Sequence, residues 1–198
     1  MTADKINFEK CIDTCQEINA VYSYLQSNHV EALSIDSILR AEFVLLVSAL
    51  DFYIHQIVCH KIVHDFFNGI LVCEENLISM SVIQQLDRAT DQPSKEQILY
   101  ASLKKRLSKD SFQSSRNIEY ALGLIGKKKI WSALSNVMGD TADNIKNTLD
   151  LIVQRRNQIA HEADIEIHTG TYRPISQSTV DDCRAFLSTL VTSIDQLL

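Results

Sequence analysis

From Ala41 to Val58 the sequence reads Ala-Glu-Phe-Val-Leu-Leu-Val-Ser-Ala-Leu-Asp-Phe-Tyr-Ile-His-Gln-Ile-Val, apolar at nearly every position. A helix that is hydrophobic all round must be touched by neighbours on several sides, so this segment belongs in the middle of a helical bundle. Its helical spacing runs from about Ser34 to about Phe67, where Asn68-Gly69 breaks it. The aliphatic stretch inside it, Phe43 to Val47 and on past Ser48 to Leu50, is well short of the roughly 20 residues a membrane span needs. With five glycines and two prolines in 198 residues, breakers of regular structure are scarce. Leu, Ile, Ala and Gln are abundant, and the fold class that follows is all-α.

The neighbours of the central helix can be read in turn. Apolar residues recur at helical spacing from about Ile6 to Leu25, ending in Ser27-Asn28-His29. Shorter helices are expected at about 76–89, at about 94–108 after Pro93, at about 115–123 and at about 129–138 before Gly139, as an insertion or cap. Thr141 reads as the N-cap of a further long helix reaching about Ala163. The segment from His168 to Pro174 reads as a loop, and Ser176 or Ser178 opens a last amphipathic helix to Leu198. No repeat, low-complexity tract or linker divides the chain, which reads as one domain over residues 1–198.

The net charge of −6 means that contact with RNA has to use a local cationic surface. Lys104-Lys105-Arg106 and Lys127-Lys128-Lys129 are the dense basic clusters. Such runs are most often solvated helix ends, and the functional reading is a track for an RNA backbone. The one aromatic beside them, Trp131, reads as core. Cys11, Cys15, Cys59, Cys73 and Cys183 are scattered and odd in number, which suits small buried hydrophobes in a reducing compartment. Met1-Thr2-Ala3-Asp4-Lys5 shows no basic stretch leading into an apolar one, so the expected location is the cytoplasm, with no membrane partner. His60 and His64 share a helix face, but Lys61-Ile62-Val63 between them lacks the glutamate of a His-Glu-x-x-His zinc site, and Cys59 cannot complete a site alone. No metal and no cofactor are expected.

Chemistry concentrates in Leu151-Ile152-Val153-Gln154-Arg155-Arg156-Asn157-Gln158-Ile159-Ala160-His161-Glu162-Ala163-Asp164. On a helix Ile145, Leu149, Ile152 and Ile159 share one face, and Arg156 falls in that apolar stripe, where a guanidinium must be paired or used. Asp150, Gln154, Asn157 and His161 line a separate polar edge, on which the amide can orient the imidazole. Arg156 and His161 stand about 140° apart around the axis. They meet only if the arginine wraps round or the helix is irregular. On the central helix Arg40, Ser48, Asp51 and His55 form a polar stripe, and a carboxylate buried there needs a cation. Pairing of Asp51 with Arg155 or Arg156 is the expectation.

Arg156-Asn157-Gln158-Ile159-Ala160-His161 resembles the Arg-x4-6-His motif of HEPN domains, which favours a polar residue directly after the arginine. Together with the string from Ala41 to His55 and Ile130-Trp131, it is most similar to the RiboL-PSP-HEPN branch, over most of the chain. The resemblance implies an antiparallel helical bundle with a long central helix and short inserted helices. It also implies a metal-independent endoribonuclease working as a symmetric homodimer, with the motif helices facing each other across a cleft. By that analogy His161 acts as general base or acid at the ribose 2′-OH and Arg156 holds the scissile phosphate, while Asn157 orients the substrate or His161. Asp51, Arg155 and Glu162 stand as supporting residues, and Lys127, Lys128 and Lys129 as RNA-binding ones. Many relatives are toxins or abortive-infection effectors, so an antitoxin or defence partner is an expectation at class level. Those silenced by a nucleotidyltransferase carry a tyrosine two places after the histidine, and here Ala163 occupies that place. The alternative reading is a non-catalytic dimerisation or RNA-sensing module partnering a separate effector or antitoxin. For the residues singly, the plainer readings are Arg156 in a buried pair with Asp51 and His161 resting against the helix dipole.

Overall fold

The computed structural model describes residues 1–29, 35–70 and 77–198. Among them are eight α-helices and no strand: α1 (Ala3–Ser27), α2 (Asp36–Phe67), α3 (Met80–Arg88), α4 (Gln92–Leu107), α5 (Ser115–Gly123), α6 (Ile130–Met138), α7 (Ala142–His161) and α8 (Gln177–Leu197). Ser34 and position 76, the expected starts of the second and third helices, lie outside the described residues, as does Cys73. No described helix is long and apolar enough to cross a membrane. The chain divides into two compact units: Met1–Tyr53 with Gln113–Ser115 and Trp131–Leu198, and Ile54–Phe112 with Arg116–Ile130.

In the first unit, α1 and α8 run antiparallel. Thr2, the N-cap of α1, donates through its hydroxyl to Asp195 near the end of α8, and Asn19 near the other end of α1 accepts from Gln177 at 3.1 Å. Against them lies α2, whose Leu39, Phe43, Leu46, Val47, Leu50 and Tyr53 are buried. Each such side chain removed from water is worth about 1.5–3 kcal/mol. At the centre of this packing Glu42 has no exposed surface. It accepts from Asn19 Nδ2 at 2.9 Å and from the Arg184 guanidinium, so one carboxylate ties α1, α2 and α8. Burial pushes the neighbouring thiols of Cys15 and Cys183 up to about 11 and about 12, respectively. They behave as apolar core groups.

Burial of α2 is incomplete: Leu45 and Phe52, two turns apart, are 42% and 41% exposed. The helix that the sequence makes hydrophobic all round is therefore covered on most of its circumference but not all of it.

In the second unit, α2 continues through Ile54, Ile57, Val58 and Ile62, and the core is completed by Leu99, Leu103 and Leu107 of α4 with Ile118 and Leu122 of α5. Tyr100 of α4 donates to Gln56 Oε1 at 2.8 Å and stacks on His60, with ring centres 4.9 Å apart. His64 Nδ1 lies 3.0 Å from Asp65 Oδ1. The two histidines of the zinc reading are thus occupied by a stack and a carboxylate. The helices α3 and α4 form a hairpin. Asp91 caps α4 by accepting from Ser94 N at 2.9 Å, with Pro93 tolerated in the first turn where no helical donor is missed.

Candidate active site at the end of the motif helix

Helix α7 starts where the sequence places its cap, with Thr141 Oγ1 accepting from Asn144 N at 3.2 Å. Ile145 and Leu149 are buried, and Ile152, Arg156 and Ile159 on the same face are half-buried. Asp150, Gln154, Asn157 and His161 are exposed along the other edge. Asp150 is used by the scaffold, accepting from the backbone N–H and the hydroxyl of Ser115 at 2.8 and 2.6 Å.

The end of α7 decides the geometry. His161 is its last residue, and Glu162 N still donates to Gln158 O at 3.1 Å. Ala163 and Asp164 then both take left-handed backbone, at φ +52° and +59°, and Asp164 N returns to Gln158 O at 2.9 Å. Left-handed backbone just past a helix end usually employs glycine. It turns the chain back on itself and delivers the Asp164 carboxylate, which has no exposed surface, to two arginines. Arg40 Nε of α2 donates at 2.5 Å, and Arg155 grips both oxygens, Nη2 at 3.0 Å from Oδ2. The remaining donors of these arginines meet the loop that follows. Arg40 Nη2 reaches Arg173 O at 2.8 Å, Arg155 Nη2 reaches Pro174 O at 3.2 Å, and the Tyr172 ring lies 5.0 Å from the Arg40 guanidinium. An isolated bridge between Ile165 and Tyr172 closes that loop. Arg173 in turn bridges Glu162 at 3.2 Å and Glu166 at 3.4 Å.

The expected pairing of Asp51 with Arg155 or Arg156 is not what the structure shows. Arg155 is satisfied by Asp164, and Arg156 contacts Asn157 and His161. The reversal after His161 delivers the Asp164 carboxylate to Arg155, and what α2 contributes at this point is a second cation, Arg40. Of the α2 stripe only Arg40 joins the cluster, while Ser48 turns back onto Val44 O at 2.8 Å.

Arg156 and His161 converge in spite of their angular separation. Arg156 Nη1 lies 3.1 Å from Asn157 Oδ1 and 3.4 Å from His161 Nε2. The long arm wraps towards the exposed edge, and Asn157 fixes its tip. In that contact a guanidinium can only donate, so a hydrogen bond there needs Nε2 as the acceptor. Arg156 Nε is buried without a partner, and the guanidinium tip beside the imidazole faces solvent.

Glu162 holds Arg173 rather than the motif side chains. Lys127, Lys128 and Lys129 belong to the second unit, in the turn before α6, with Lys128 and Lys129 exposed. Trp131 is buried. Among the described residues no group of three or more metal-binding side chains comes together. Asp164, Arg40 and Arg173 are the members of the site that sequence reasoning left out as partners. The turn that brings them together carries no glycine, so no residue type announced it.

The RiboL-PSP-HEPN family model matches residues 9–198 of the chain. No curated protein and no solved structure matches it.

Proposed function

The chain belongs to the RiboL-PSP-HEPN family, and on that premise we propose that it is a metal-independent endoribonuclease acting at the solvent-facing end of α7. The observation that carries this reading is the convergence of Arg156 on His161 and Asn157, at 3.4 and 3.1 Å. A planar cation and an imidazole side by side in water-accessible space suit a phosphodiester: the guanidinium neutralises the non-bridging oxygens while the ring moves a proton. In the reaction the ribose 2′-oxygen attacks the adjacent phosphorus, the bond from phosphorus to the 5′-oxygen breaks, and the 2′-OH proton is balanced by one delivered to the departing 5′-oxygen. The products are a 2′,3′-cyclic phosphate and a free 5′-OH, so DNA is inert. His161 serves as base or acid, Arg156 stabilises the charge that develops on the phosphorane, and Asn157 holds the tip of Arg156. A homodimer in which two α7 ends share one cleft supplies an imidazole for each proton transfer. Lys127–Lys129 of the second unit are RNA-binding residues in this reading, and a role in toxin-antitoxin or antiviral defence is the biological setting.

The purified chain is expected to cleave single-stranded RNA in the presence of EDTA. His161→Ala and Arg156→Ala are each expected to lower the rate about 100-fold or more with the circular dichroism spectrum unchanged, and light scattering should give a dimer. Intact RNA with a folded wild-type dimer would overturn the reading and leave the dimerisation or RNA-sensing module in its place.

A further inference from the structure

A second cationic feature lies in the other unit, at the open end of the α3–α4 hairpin. A cavity of about 230 Å³ is lined by Leu77, Ser79, Ser102, Lys105, Arg106 and Lys109. Ser102, Lys105 and Arg106 follow one another at intervals of three and one, which puts them on one side of the end of α4, and Lys109 follows in the turn just beyond it. Three full positive charges are far more than is needed to complement the roughly half elementary charge at a helix C-terminus. Among the described residues, Lys105, Arg106 and Lys109 form no ion pair and no carboxylate lines the cavity. The concave arrangement of these cations with two hydroxyls is the primary observation. The start of α3 agrees with it: Ser79 is the N-cap but makes no side-chain capping bond, its hydroxyl lying instead 2.8 Å from Ser81 Oγ.

We propose that this cavity binds a phosphate group, with Arg106, Lys105 and Lys109 neutralising its oxygens and Ser79 and Ser102 donating hydroxyl hydrogen bonds. The chemistry favours phosphate over a carboxylate ligand because three cations and two hydroxyls line the cavity, which matches an anion with several acceptor oxygens and more than one negative charge. Space remains for the group that bears the phosphate, such as a ribose. The site stands apart from the nuclease reading, since none of its residues belongs to the Arg156–His161 constellation.

The test uses the full chain, isotopically labelled, and follows its amide signals. Three probes are titrated separately: inorganic phosphate, a 2′-O-methyl RNA tetranucleotide with a 5′-phosphate, and the same tetranucleotide with a 5′-OH. The 2′-O-methyl groups remove the nucleophile, so cleavage plays no part in the result. Signals of residues 79–81 and 102–109 are expected to move in a saturable manner. Lys105→Gln/Arg106→Gln should weaken binding by about tenfold or more. Arg88→Gln/Lys95→Gln, an equal loss of charge at the opposite end of the hairpin, should leave it unchanged. Movement with both tetranucleotides assigns the phosphate to a strand backbone, while movement with inorganic phosphate and the 5′-phosphorylated strand alone assigns it to a phosphate monoester. No saturable movement with any probe, or equal weakening by the two double variants, overturns the proposal.

Discussion

Asp164 has no exposed surface and two arginines on its oxygens. Removing one member of such a buried cluster leaves the others uncompensated, which typically costs about 3–5 kcal/mol. Asp164→Ala is therefore expected to lower the unfolding free energy by about that much in urea titrations, because Arg40 and Arg155 both lose their anion. Arg40→Ala should cost less, since Arg155 keeps its two-pronged hold. The motif residues themselves were legible: Arg156, Asn157 and His161 sit where a helical projection puts them, and the projection also shows what convergence of Arg156 on His161 requires. The partner of Arg155 was not legible. Asp51 looked suitable because a buried carboxylate on an apolar helix demands a cation, but periodicity describes one helix at a time and cannot follow a chain beyond its end.

The end of α7 concentrates strain in two consecutive residues. Left-handed backbone costs a residue bearing a Cβ about 1–2 kcal/mol, less for aspartate than for alanine. Ala163→Gly should relieve this and, after the greater freedom of glycine in the unfolded chain is counted, raise stability by about 0.5–1 kcal/mol. Ala163→Val should do the opposite, because a branched Cβ fits poorly at positive φ, and thermal unfolding of the pair checks the sign. The same turn explains why the sequence carried the helix two residues too far, to Ala163: nothing in Glu162-Ala163-Asp164 is a breaker by type. Where a cap has side-chain chemistry the boundaries came out well. Thr141 opens α7, and Ser176 rather than Ser178 opens α8, accepting from Thr179 N at 3.2 Å. Pro93 instead sits inside the first turn of α4, whose cap Asp91 lies before it.

For the molecule as a whole, all-α character was the most legible property, because scarce breakers and 3.6-residue periodicity are read everywhere along the chain. The division into two compact units was not, since it depends on which distant segments touch. Response to acid is also a property of the whole fold, and Asp65 bears on it. Burial alone would raise its carboxyl, but hydrogen bonds from Lys61 and His64 and the charges of those groups outweigh that and hold it below the usual carboxylate range. Because the folded value lies below the unfolded one, this carboxylate contributes stability that is fully present above about pH 5 and is lost as the pH falls through the folded value. Asp65→Asn should therefore be less stable than wild type from about pH 5 to 6, with the gap closing at lower pH, as read from urea midpoints across that range.

Glu42 joins α2 to Arg184, 142 positions later in the chain, and the first unit takes its helices from both sides of the second. During synthesis, then, the middle segment can acquire most of its own contacts while the carboxylate that organises the rest still waits for its cation. The helix bearing Arg156 and His161 belongs to the late-completed part. A ribosome would have to extrude α8 before those two side chains could be held in a finished frame, so their assembly waits on a segment made well after the helix that carries them.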